Sequence, residues 1–160
     1  MFKNYIYWRP NERFLSELCN YLQNKRVLEI FAGNGYLASC LHSKGIEVIS
    51  TSIFSGHDGH DYGMYFPVQE MEASHAVQVY GDSCDVLLMA WPTVTESVIK
   101  AVRKWPSKPF VFIGEVTNYA KHELGGCATD SFFNETVFTH TFSTYKGNYI
   151  EKAVIGNLIK

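Results

Sequence analysis

Val27-Leu28-Glu29-Ile30-Phe31-Ala32-Gly33-Asn34-Gly35 is the stretch on which the fold of this 160-residue chain turns. Residues 27–31 form a short apolar run carrying one acid, the pattern of a strand buried on both faces. Gly33-Asn34-Gly35 then predicts a tight turn, because glycine alone enters left-handed backbone without steric cost. Leu37, Cys40 and Leu41 follow at helical spacing, and Gly45 ends that helix. Residues 46–49 form a second apolar run. Strand, glycine turn, helix and strand within about 25 residues make a βαβ unit, which implies a parallel sheet covered by helices.

Reading outward, the same alternation continues. Upstream, Pro10 and a capping Asn11 introduce a helix whose inner stripe is Phe14, Leu15, Leu18, Cys19 and Leu22. Downstream, a loop over 57–63 leads to a short strand over 65–69 and a helix over 73–80. Residues 85–90 read as a buried strand. Thr93-Val94-Thr95-Glu96 fits a capping box opening a helix that turns Val94, Val98, Ile99 and Val102 inward. Another strand covers 110–113. A long loop then runs through Gly125-Gly126 to a helix near Asp130, with Thr129 or Asp130 as its cap. Residues 137–144 and 149–159, joined by Lys146-Gly147-Asn148, form a hairpin. The expected architecture is α/β: a doubly wound sheet of about seven strands, mostly parallel, with a C-terminal antiparallel hairpin and helices on both faces. One domain spans 1–160, and residues 1–24 pack upon it.

Composition narrows the function. Hydrophobic residues make up 46% and charged residues 19%, an ordinary globular balance that excludes a disordered or fibrous chain. Fourteen basic against sixteen acidic residues give a net charge of -2, without the basic surplus of a nucleic-acid binder. No apolar run approaches the ~20 residues of a membrane span. Residues 1–5 show no signal-peptide apolar region. The four cysteines are scattered without a Cys-x-x-Cys pair. A soluble, cytoplasmic protein is expected.

Glu29 followed by Phe31-Ala32-Gly33-Asn34-Gly35 resembles the first motif of class I S-adenosylmethionine-dependent methyltransferases, an acidic-x-Gly-x-Gly-x-Gly turn after the first strand of a Rossmann-like sheet. The Phe-Ala-Gly-x-Gly form is most similar to that of DNA cytosine methyltransferases. The motif likeness covers residues 27–45 and, weakly, 85–93; as element order it covers most of the chain. It implies S-adenosylmethionine as cofactor, held by Glu29, Phe31, Ala32, Gly33, Asn34 and Gly35. It also implies an acid after the second strand for the ribose, where this chain has Ser50-Thr51-Ser52; Ser52, or Asp58 or Asp61 from the next loop, is the substitute. By the same analogy Glu72 faces the adenine. Trp91 stacks on the adenine, walls the substrate pocket or fills the core. Neither the Asn/Asp-Pro-Pro-Tyr sequence nor the Pro-Cys nucleophile of base methyltransferases is present, since Thr93 follows Pro92. The expected acceptor is therefore an oxygen or nitrogen nucleophile of a small molecule or a protein.

The residues support this reading on physical grounds. The free N–H groups and positive end of the helix after the turn suit a carboxylate, and Glu29 in an apolar strand needs a partner. The alternatives stand beside it. The glycines could serve only a tight crossover, leaving a non-catalytic binding module. Gly33-x-Gly35-x-x-Ala38 also matches a dinucleotide fingerprint, although an acid inside the strand does not help a pyrophosphate and no acid ends the second strand. Glu115, closing the fifth strand, is the candidate base. Cys127 would be a nucleophile only beside a base. The loop His57-Asp58-Gly59-His60-Asp61 carries four metal-ligand side chains but lacks a fixed frame, and no metal is assigned. Tyr5-Ile6-Tyr7-Trp8 either closes over the cleft or packs under the first helix.

Overall fold

The computed structural model describes residues 6–54, 63–105 and 107–159. In chain order the elements are α1 (Glu12–Leu22), β1 (Arg26–Ile30), α2 (Tyr36–Ser43), β2 (Glu47–Ser52), β3 (Val68–Glu70), α3 (Ala73–Tyr80), β4 (Val86–Ala90), α4 (Ser97–Arg103), β5 (Phe110–Glu115), α5 (Asp130–Glu135), β6 (Thr136–Thr141) and β7 (Glu151–Leu158). One seven-stranded sheet runs in the order β3-β2-β1-β4-β5-β7-β6. β7 is antiparallel to both β5 and β6, and the other pairings are parallel. This is the doubly wound architecture expected from the sequence.

Strand alternation splits the core into two layers. Leu28, Ile30, Leu87, Met89, Phe110 and Phe112 face α3, α4 and α5, where Phe132 and Trp105 are buried with them. Val27, Val86, Leu88, Val111 and Ile113 face α1 and α2, packing on Phe14, Leu18, Leu37 and Leu41. Glu29 shares the second face, since it lies two residues from Val27. Asn11 caps α1 as expected, its side chain accepting from the Phe14 N–H at 2.8 Å.

Several boundaries differ from the sequence expectation, each for a tertiary reason. The second strand continues to Ser52 because β1 and the glycine turn supply partners for its three polar residues. The third strand begins at Val68, not 65. Tyr65 instead donates its N–H to the Asn34 carbonyl at 2.8 Å, and Phe66 packs on His42 of α2. The capping box does not form: α4 begins at Ser97, its N–H bonded to Thr95 Oγ1, and Val94 is 64% exposed. The Thr93 carbonyl is occupied by the Ala128 N–H, which fixes this loop against the one after β5. Thr129 occupies the N-cap of α5, as one of the two expected caps, but its side chain makes no capping hydrogen bond; Asp130 accepts from the Tyr119 hydroxyl at 2.7 Å. No helix among the described residues is long and apolar enough to cross a membrane.

Candidate functional site

Strand order reverses between β1 and β4, with β2 and β3 on one side and β4 onward on the other. Open α/β sheets bind ligands at such a switch point, in the crevice outside the carboxyl ends of the strands. Glu29, the glycine turn, Ser52 and Trp91 all converge on it.

Glu29 is 2% exposed and lies opposite Ser50 and Leu88 in the neighbouring strands. One carboxylate oxygen accepts from the Ser50 hydroxyl at 2.9 Å. Burial pushes its carboxyl up to about 8, against the lowering effect of that hydrogen bond. Ion pairs among the described residues join Arg26 to Glu47, Lys44 to Glu12 and Arg103 to Glu135, and none reaches Glu29. A buried acid held by one neutral hydroxyl is under-compensated.

The turn beyond it is built from three conformational choices. Phe31 takes φ 58, Gly33 φ 60 and Gly35 φ 81. Phe31 thus holds left-handed backbone where the resemblance expects glycine, at a cost of ~1–2 kcal/mol, while its ring packs on the α3–α5 core. The Ala32 N–H bonds the Thr51 carbonyl at 3.0 Å and the Gly33 N–H bonds Ser52 Oγ at 3.2 Å, so the end of β2 props the turn. Ser52 therefore already accepts one bond and retains its own O–H as a donor. Among the described residues a Cβ at Gly33 would meet nothing within 4 Å, so none of them closes the turn there. Gly35 is different: a Cβ there would come within 2.9 Å of Phe66 Cβ, so it serves packing against the segment before β3. Gly35 is also the N-cap of α2 and offers no side-chain cap, leaving the first amides of that helix without a side-chain acceptor. Asn34 is buried in the same turn.

Trp91 follows β4 with φ 53, its N–H bonded to the Ile113 carbonyl at 2.6 Å. Its ring is half-buried and packs edge to face with Tyr7 at 5.8 Å, while the buried indole N–H has no acceptor among the described residues. Glu115 ends β5 directly opposite Glu151, so both carboxylates share one face. Glu115 accepts from the Gly126 N–H at 2.9 Å and Glu151 from the Tyr145 hydroxyl at 3.0 Å. Burial raises the Cys127 thiol to about 11, which removes it as a nucleophile at neutral pH. Glu72 caps α3, accepting from the Ser74 N–H at 2.6 Å. Residues 57–61, the metal-ligand loop of the sequence reading, and the alternative ribose ligands Asp58 and Asp61 lie outside the described residues. No group of three or more metal-ligating side chains occurs among those described.

Similarity to solved structures follows the same lines. A variant of MtNAS in complex with S-adenosylmethionine superposes with a TM-score of 0.61 at 15% identity, covering 92% of this chain and 62% of that one. The glycopeptide N-methyltransferase MtfA complexed with sinefungin gives 0.58 at 10% identity, with 96% of each chain covered. An S-adenosylmethionine-dependent methyltransferase from Archaeoglobus fulgidus gives 0.57 at 14%, covering 89% and 90%. The fold is the class I methyltransferase fold. The chain spans less than two thirds of the MtNAS variant but nearly the whole of MtfA. No protein-family model and no curated protein matches the sequence.

Within the class I methyltransferase fold, the sequence singled out Glu29, the glycine turn, Ser52 and Trp91, and the sheet order brings them to one crevice. Two contributors were missed. Thr51 donates to the Glu29 carbonyl at 3.0 Å and receives the Ala32 N–H, stitching β2 to the turn. Arg9 lies over the Tyr36 ring, 5.4 Å from its centroid, at the first residue of α2. Neither has a local signature, because both act across the chain.

Proposed function

We propose that the chain binds S-adenosylmethionine in this crevice and transfers its methyl group to an oxygen or nitrogen nucleophile of a small molecule or protein. The observation that carries the reading is Glu29: a buried acid whose only hydrogen-bond donor among the described residues is a serine hydroxyl, beside an open turn and a helix without a side-chain cap. That arrangement fits the amino-acid end of the cofactor, with Glu29 taking the ammonium and the α2 amides facing the carboxylate. Bound cofactor supplies an activated methyl on a sulfonium, already a good leaving group. The neighbours MtNAS, MtfA and the Archaeoglobus protein support the choice of cofactor by what their structures contain or are named for.

The chain's own part is positioning. Ser52 props the turn and keeps a hydroxyl hydrogen free to donate, the weaker counterpart of an acid for a ribose. Trp91 and Tyr7 wall the β4 side of the crevice with aromatic surface, which favours a cation near their faces. Glu115, on the same sheet face as Glu29, is the group available to accept a proton from the nucleophile. The absent base-methylation motifs keep nucleic acid outside the expected acceptors, and the site contains nothing that calls for a membrane.

Calorimetry with S-adenosylhomocysteine and with a nicotinamide dinucleotide tests the reading. Binding of the first alone, lost in Glu29→Ala, supports it. A second reading, a binding module with a degenerate cofactor site, draws on Phe31 in place of glycine and Ser52 in place of an acid. Binding of neither ligand favours that reading. Binding of the dinucleotide alone overturns the methyltransferase assignment.

A further inference from the structure

The segment before α1 is not a passive leader. Trp8 is directed into the α1 layer, 6.3 Å from Phe14 and 6.2 Å from Tyr145 between ring centroids. Tyr7 and Arg9, its neighbours on either side, face elsewhere. Tyr7 meets Trp91 at the end of β4, and Arg9 lies over Tyr36 at the start of α2, with Nη1 3.4 Å from the Tyr36 hydroxyl. Trp91 follows β4, the neighbour of β1 in the sheet, and Tyr36 follows the glycine turn directly. Residues 7–9 therefore touch both the end of β4 and the start of α2, the elements on either side of the glycine turn. Tyr65 meets Tyr36 edge to face, 5.2 Å between centroids, so the ring carrying Arg9 has a second aromatic contact.

Arg9 is exposed, and no carboxylate among the described residues pairs with it. Its guanidinium has five donors, of which one is engaged by a long contact to Tyr36. On β1, ahead of the same turn, Glu29 is a buried acid with no cation among the described residues. An acid wanting an ammonium and a guanidinium wanting a carboxylate, separated by one open turn and the positive end of a helix, are complementary to an α-amino acid zwitterion. We propose that Arg9 is a ligand-binding residue of this crevice that takes the carboxylate of the cofactor's amino-acid end, held in place by Trp8 and Tyr36. The inference rests on the methyltransferase reading and adds to it a residue that no sequence motif marks.

The test uses the full chain and two probes: S-adenosylhomocysteine, which carries the amino-acid end, and 5′-methylthioadenosine, which lacks it. In Arg9→Ala, S-adenosylhomocysteine affinity is expected to fall about tenfold or more, the scale of one charge-assisted hydrogen bond. Methylthioadenosine affinity should stay within twofold, and Arg9→Lys should recover part of the loss. Equal losses for both probes would make Arg9 a structural residue and overturn the proposal, as would no loss for either. If the wild-type chain binds neither probe, the methyltransferase reading falls and this inference with it. If the wild type binds both equally, only the inference falls. Trp8→Ala offers an independent check: loosening the anchor should weaken S-adenosylhomocysteine more than methylthioadenosine, with circular dichroism confirming that the fold persists.

Discussion

Two strand ends on the same face of the sheet carry a carboxylate, and they are finished in opposite ways. At the end of β1, Glu29 is buried, has one hydroxyl donor, and is followed by a turn that is open at Gly33. At the end of β5, Glu115 is half-buried and its own main chain is covered by the loop after the strand. A Cβ on Gly125 would lie 2.8 Å from the Glu115 carbonyl carbon, and the Gly126 N–H bonds its carboxylate. One acid has a single hydroxyl donor among the described residues and an open turn beside it; the other is roofed by glycine backbone and holds a loop. On the proposed reading the first receives a group from outside, while the second aims a carboxylate along a rim that protein already covers.

The comparison breaks most visibly through ligand affinity. Glu29→Ala should reduce S-adenosylhomocysteine binding by about 100-fold, since a buried charge-assisted contact is worth ~3 kcal/mol. Calorimetry reads this directly, and a loss below about fivefold would mean that Glu29 is not the ammonium ligand.

A second contrast lies in stability. Gly125→Ala should cost about 2 kcal/mol or more, because the new methyl meets backbone that cannot move aside. Gly33→Ala should cost only about 1 kcal/mol, the penalty of left-handed backbone alone, since space is open there. Thermal or urea unfolding ranks the two, and a reversed order would mean that the β5 end is the looser one.

The pH dependence of stability sharpens the difference further. A folded-state value of about 8 against 4.5 for the free side chain means that the folded protein binds the Glu29 proton more tightly than the unfolded chain does. The ligand-free protein should therefore lose stability as pH rises from about 4.5 to about 8 and gain nothing from this group above that. Glu29→Gln should flatten that part of the profile in denaturant titrations. Binding of an ammonium-bearing ligand near pH 7 should release a proton, visible as a buffer-dependent calorimetric heat.

The smallest effect on binding belongs to Glu115→Gln. The amide oxygen can keep the Gly126 hydrogen bond, so S-adenosylhomocysteine affinity should change less than twofold. Methyl transfer, once an acceptor is found, should slow by about 100-fold if the carboxylate takes the proton. A parallel fall in affinity would identify Glu115 as a structural residue of the loop.

Legibility in the sequence followed the range of each interaction. Asn11 was readable as a cap because cap, helix and inner stripe are contiguous. The glycine turn was readable because left-handed backbone leaves a residue signature, and β1 because a run of buried apolar residues has one meaning here. Ser50-Thr51-Ser52 reads as the polar end of a strand, yet all three residues lie inside β2, because Glu29, its carbonyl and Gly33 answer their polar atoms. Thr93-Val94-Thr95-Glu96 carries a capping box that does not form as read: Ala128, 35 residues away, takes the Thr93 carbonyl, and Thr95 instead accepts the Ser97 N–H. Tyr65 and Phe66 look like strand and instead clamp α2. Arg9 carries no motif at all.

Alone, the order of residues determined which segments bury apolar faces, where the backbone must turn left-handed, and that an acid stands within a buried strand; these follow from side-chain size, periodicity and local hydrogen bonding. Tertiary structure decided which polar groups find partners and which are left wanting one. Among the described residues Glu29 has a single hydroxyl, Arg9 has an aromatic platform but no counter-ion, and Glu115 has a roof of glycines. Partnership between distant segments depends on sheet order and loop placement, so no local pattern could announce it.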